Sequence, residues 1–144
     1  VLVISFVAHG VPAPKGSTKA FVRGGRAIVV NDCERTKPWQ AVVMHAAIEA
    51  MDMRRIMQVG PLRVRCSFRL PRPKSLLKRD GTPRDERKTP SVKPDLDKLV
   101  RALLDALTDA GCWVDDGQVV SIEAEKVYSD APGVTVAVER VVMT

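Results

Sequence analysis

The chain has 144 residues, 45% of them hydrophobic, and 23 lysines and arginines against 17 acidic residues give it a net charge of +6. That length predicts one domain over 1–144 with a core that needs no staples, and the basic balance favours polyanionic partners. Cys33, Cys66 and Cys112 lack C-x-x-C spacing and His9 and His45 lack a spaced partner, which argues against a disulfide framework or zinc site. No apolar run nears the ~18 residues of a membrane span and no secretory start is seen, so a soluble cytoplasmic protein without membrane contacts is expected.

Val1 to Val7 is rich in β-formers and predicts a first strand, followed by a loop from Gly10 to Ser17 whose prolines and glycines exclude regular structure. Phe21 to Arg23 and Arg26 to Val30, joined by Gly24-Gly25, predict a two-residue hairpin. Lys15, Lys19, Arg23 and Arg26 either reach phosphates from this region or form a solvated rim. Thr36-Lys37-Pro38-Trp39 opens a helix, and Trp39, Val42, Val43, Ala46, Ala47, Ala50 and Met51 mark its buried face to about Met53. Trp39 lies on that stripe and is expected as a core anchor, not a base-stacking platform. After Gly60-Pro61, alternation of Leu62, Val64, Cys66, Phe68 and Leu70 predicts a half-buried strand.

Pro71 to Lys93 is different in kind. Arg72, Lys74, Lys78, Arg79, Arg84, Arg87, Lys88 and Lys93 face only Asp80, Asp85 and Glu86, so five of the chain's six excess positive charges lie here. Its only apolar patch, Leu76-Leu77, supports no core, and a loop of this length in a domain is functional or disordered. It reads as a grip on a nucleic acid backbone, which needs charge without base-specific geometry, or as a solvated linker.

From Leu96, the residues Leu99, Val100, Leu103, Leu104, Leu107 and Ala110 form one helical stripe, with Pro94 and Asp95 before it and Gly111 after it. Asp97 lies on the edge of the stripe, with Arg101 one turn further along the same flank. Asp115-Asp116-Gly117 follows. Taken singly, these features are a cap, an i,i+4 ion pair and a turn. Beyond them, Gln118, Val120, Ile122 and Ala124 alternate with Ser121, Glu123 and Glu125. Ser129 to Gly133 turns, and Val134, Val136 and Val138 begin an antiparallel partner running to about Val142.

Together, Asp95-Leu-Asp97, Ala102-Leu-Leu-Asp-Ala-Leu-Thr108 and Gly111-Cys-Trp-Val-Asp-Asp-Gly-Gln-Val-Val120 resemble the RusA family of Holliday junction resolvases, which is also widespread in bacteriophages. The close match runs from Lys93 to Lys126. The resemblance implies an α+β fold, a mixed, mainly antiparallel sheet with two main helices on one face, which the order of elements also suggests. It further implies a homodimer acting on branched DNA, with Asp95, Asp97 and Asp116 as catalytic metal ligands for Mg²⁺, or Mn²⁺ as a substitute. Where the family pattern has Asn and then Lys, this chain has Lys98 and Arg101; Arg101 keeps the charge that clamps a phosphate but not a transferable proton. Lys126 matches a family lysine, yet ten extended residues set it roughly 33 Å from Asp116, outside that site.

Hydrolysing a phosphodiester needs a nucleophilic water and compensation of oxygen charge, and Mg²⁺ held by hard carboxylate oxygens supplies both. Carboxylates 4 Å apart repel by about 4 kcal/mol at an effective dielectric of 20, so a convergent cluster calls for a cation. The expected function is a Mg²⁺-dependent structure-selective endodeoxyribonuclease for Holliday junctions or related branched DNA, in the host cytoplasm if phage-encoded. One rival is a non-catalytic branched- or single-stranded-DNA-binding protein. A nucleotidyl- or glycosyltransferase using Asp-x-Asp is disfavoured by the shortness of the chain.

Overall fold

A computed structural model describes residues 2–16, 18–31, 34–51, 58–85 and 89–142, with the side chains of 18–21 and 28–31 outside that set. Its main sheet holds β1 (Leu2–His9), β4 (Leu62–Leu70), β5 (Val119–Tyr128) and β6 (Gly133–Arg140) in the order β1-β6-β4-β5. β6 runs antiparallel to both β1 and β4, while β5 pairs parallel to β4, which requires a crossover. That crossover carries the basic segment and α2 (Leu96–Asp109). α1 (Thr36–Ala50) packs on α2 and β1, and β2 (Thr18–Arg23) and β3 (Arg26–Asn31) form a separate hairpin. Gly24 and Gly25 take φ of +61° and +77°, the left-handed pair that such a two-residue turn demands. The fold is α+β, with a mainly antiparallel sheet and two helices, as expected.

Alternation in the strands puts Ile4, Phe6, Ala8, Leu62, Val64, Phe68, Leu70, Val134, Val136 and Val138 into one core with the helix stripes. The opposite face of the sheet stays polar. There Arg65 bridges Glu123 at 3.2 Å and Glu139 at 3.3 Å, and Ser67 donates to Glu125. Trp39 is 4% exposed and anchors α1 as expected, and the Thr36 hydroxyl beneath it donates to Pro14 O at 2.6 Å. On α1 the i, i+4 row Trp39, Val43 and Ala47 is buried, and Met44, Ala46, Ile48 and Met51 pack partly buried against the core. Val42, one step off that row, is 42% exposed, and the helix ends at Ala50, short of Met53.

α2 follows its sequence pattern closely. Leu99, Val100, Leu103, Ala106 and Leu107 are buried, Gly111 ends the helix at φ +81°, and Trp113 seals its C-terminal end by donating from Nε1 to Thr108 Oγ1 at 2.8 Å. Truncating any of these leucines to alanine costs about 2–5 kcal/mol. β5 departs from the expected alternation at one point. Leu62 pairs with Val119 but Arg63 with Ser121, so a bulge expels Val120, which is 61% exposed, and places Ile122, Ala124, Lys126 and Tyr128 in register with the core residues of β4. The described part of the basic segment is folded back on itself. A 3-10 turn at Lys74–Leu76 leads into a tight turn in which Asp80 accepts from Thr82, and Arg84 Nε donates to Leu77 O.

Candidate active site

The two ends of α2 carry the acidic residues. At the N-terminal end, Asp95 occupies the N-cap position with extended backbone, but its carboxylate accepts no capping hydrogen bond. Lys98 Nζ stands 3.9 Å away, and Asp97 and Arg101 are exposed on the next turns. The turn entering the helix is held from β5. Lys126 Nζ donates to Val92 O at 2.7 Å and to Pro94 O at 2.8 Å, directly before Asp95. Lys126 therefore stands beside Asp95, at the far end of β5 from Asp116; reasoning about its distance from Asp116 alone missed this.

At the C-terminal end the chain makes a 3-10 turn at Asp116–Gln118 before entering β5. Asp115 accepts from Gly117 N at 2.9 Å, and Gln118 reaches back to accept from Val114 N and Asp115 N while donating to Gln58 O and Gly60 O. This is a capping box spelled Asp-x-x-Gln, a signal legible in the sequence. The Gly117 amide and then a hydrogen bond shared with Asp116 hold the Asp115 carboxyl below the usual carboxylate range. Asp116 is pushed the other way, first by that shared hydrogen bond, then by desolvation and the charges of Asp115 and Asp105. It opens onto a cleft of about 400 Å³ lined by Lys15, Gln40, Asp105, Thr108 and Asp109.

Asp116 thus sits by the last turns of α2, whereas Asp97 is in its first turn. Eight residues separate Asp97 from Asp105, about 12 Å along the helix axis. Among the described residues no three His, Cys, Asp or Glu groups converge to hold a metal. Asp95 and Asp97 lie at the start of α2, whereas Asp116 lines a cleft with Asp105 and Asp109 at its end. The return of Asp116 to the helix start that sequence reasoning allowed does not occur within one chain, because β5 runs away from the turn that carries it.

The basic residues divide similarly. Lys15, expected at phosphates, is spent on Asp105 at 2.5 Å, while its amide donates to Lys98 O and ties the loop after β1 to α2. Arg72 lies over the Tyr128 ring, 5.5 Å from its centroid. Lys74, Lys78, Arg79, Arg84 and Lys93 are exposed. Arg87 and Lys88, and the side chain of Lys19, lie outside the described residues. Cys66 and Cys112 are buried with thiols pushed up to about 12, so neither serves as a nucleophile.

A protein of Bacillus subtilis (strain 168) carrying the name "Uncharacterized protein YqaN" is 28% identical over 141 residues, covering 96% of each chain. The sequence model of a family described as "Endodeoxyribonuclease RusA" matches residues 9–139, taking in both helices and every acidic residue discussed above. With nearly the whole chain matched, from the end of β1 to the end of β6, the protein belongs to the RusA family of endodeoxyribonucleases.

Proposed function

We propose that the chain is a Mg²⁺-dependent endodeoxyribonuclease that cuts four-way junctions or related branched DNA as a homodimer. The carrying observation is Asp95. An aspartate at an N-cap normally satisfies a helix amide, yet this one makes no such bond and stands with Asp97 as a pair of exposed hard-oxygen donors at a helix N-terminus. Two donors of the expected three suit a divalent cation, and Asp116, raised first by its hydrogen bond with Asp115, then by desolvation and the nearby charges of Asp115 and Asp105, suits one as the third. Bound there, Mg²⁺ supplies charge compensation on the phosphate oxygens and a water of lowered pKa. Arg101, one turn beyond Asp97, offers a planar fork to the scissile phosphate. Lys74, Lys78 and Arg79 supply sequence-independent grip.

The separation of the acids within one chain supports the dimer. α2 starts beside Lys126, at the end of β5, and finishes beside Asp116, at its beginning. β5 is an edge strand, with Val120 and Ile122 61% and 44% exposed. A two-fold axis near the middle of β5 brings Asp116 of a second copy toward Asp95 and Asp97, and yields two equivalent sites for the two strands of a junction. Mixing tests this directly. Asp97→Asn and Asp116→Asn chains, each inactive alone, regain cleavage when mixed if each site draws on two copies, because one site of the heterodimer is then intact. No recovery from demonstrated heterodimers sinks the shared site. The lack of three converging ligands among the described residues of one chain favours a second reading, a branched-DNA binder without chemistry. It predicts identical gels of labelled junction with Mg²⁺ and with EDTA.

A further inference from the structure

A second cleft, of about 290 Å³, opens immediately beside Asp95, where the two ends of the basic segment meet the ends of β4 and β5. Five prolines form much of its wall, among them Pro73 and Pro90, and its charged lining groups are Arg35, Arg72 and Lys93. Among the described residues no carboxylate lines it, in contrast to the cleft of Asp116 and to the open face of the sheet. Its aromatic group is Tyr128, the single tyrosine of the chain, beneath the Arg72 guanidinium. We infer that this cleft receives one unstacked nucleotide of the DNA substrate, its base against Arg72 and Tyr128 and its flanking phosphates on Arg35 and Lys93. The inference rests on the reading of the chain as a nuclease for branched DNA.

The chemistry of the lining selects this ligand. A volume at the lower limit of small-ligand pockets admits one planar group, not a paired duplex. Guanidinium and phenol rings are the planes on which unpaired bases stack. Prolines fix the wall with φ already set and offer no amide donors, so the wall is preformed and supplies few backbone contacts to a base edge. Recognition by stacking and charge is tolerant of base identity. Branch points hold the least stacked nucleotides of a junction, so the cost of extrusion is smallest there. A nucleotide drawn into this cleft leaves its neighbouring phosphate at Asp95.

The test uses the full chain carrying Asp97→Asn, to prevent cutting, and four-way junctions with 2-aminopurine at successive positions around the branch point. Fluorescence should rise several-fold at one position per cut strand on binding. Tyr128→Leu and Arg72→Met, each added to Asp97→Asn, should abolish the rise and weaken junction binding by roughly tenfold, the worth of one stacked base. Arg72→Met decides the matter if Tyr128→Leu fails to fold by circular dichroism. Tight junction binding with no rise at any position, or a rise that survives both changes, overturns the cleft and leaves the nuclease reading intact. Absence of junction binding by the Asp97→Asn chain overturns both.

Discussion

The two ends of α2 both carry carboxylates and treat them in opposite ways. At the C-terminal end nearly every polar group is committed: Asp105 pairs with Lys15, Asp115 caps a turn, and Gln118 makes four hydrogen bonds that clamp the turn to residues 58–60. At the N-terminal end the backbone is held, by Lys126, while the carboxylates of Asp95 and Asp97 are left uncapped and exposed. Under the proposed function, the uncapped carboxylates of Asp95 and Asp97 are held out to a cation on a fixed backbone, and Asp116 joins them from a second copy.

The sharpest way to break this contrast is one substitution at each end. Asp97→Asn keeps the side-chain shape and removes a charge that the proposed chemistry requires, so cleavage of labelled junction should fall by at least 10²–10³-fold with binding retained, a loss typical of removing one preorganised electrostatic group. Asp105→Asn removes a half-exposed ion pair worth about 0–1 kcal/mol, and should leave the cleavage rate within a few-fold. If the two substitutions cost the same, the ends are not different in function.

Much of this was readable in the residues, and the limits are physical. The α2 stripe, the Gly24-Gly25 hairpin and the alternation in β4 depend on local periodicity and turn chemistry, and they stand as expected. The exposure of Val120 was not readable, because a bulge arises from pairing with β4 and has no local signature in β5. The place of Asp95 and Asp97 at the start of α2 follows from Pro94 and the stripe after it, whereas the position of Asp116 depends on the direction in which β5 leaves its turn. Lys126 was misjudged because its reach was measured to the wrong end of the helix. An isolated lysine on the core-facing side of an edge strand is the signal that something at the strand's end needs its ammonium.

That lysine sharpens the comparison at a smaller scale. Lys126→Met keeps the aliphatic stem and removes the donors to Val92 O and Pro94 O, which loosens the turn that presents Asp95. Cleavage should fall by about tenfold through a weaker apparent Mg²⁺ affinity, seen in Mg²⁺ titrations of the rate, and Lys126→Arg should restore part of it. An unchanged Mg²⁺ dependence would make the lysine merely a surface strut. At the other end, Gln118→Ala removes the clamp on the Asp115-Asp116 turn and should lower unfolding free energy by about 1–2 kcal/mol in urea, with folded protein still able to cut.

The smallest effect is one of pH. Asp116 titrates above the usual carboxylate range because it shares a hydrogen bond with Asp115 and feels that residue's charge. A carboxylate raised in the folded state contributes stability below its unfolded pKa that is lost as pH rises through the folded value, so ionising Asp116 works against the fold while a cation at the site would favour it. Cleavage that needs Asp116 ionised should therefore weaken on the acid side at a higher pH than an ordinary carboxylate would give. Asp115→Asn retains a capping side chain for Gly117 but removes the neighbouring charge, so the acid limb of the pH–rate profile should move to lower pH with its plateau little changed. A limb that stays in place would mean that Asp116 does not need to lose its proton for cleavage, and the two ends of α2 would then share no chemistry.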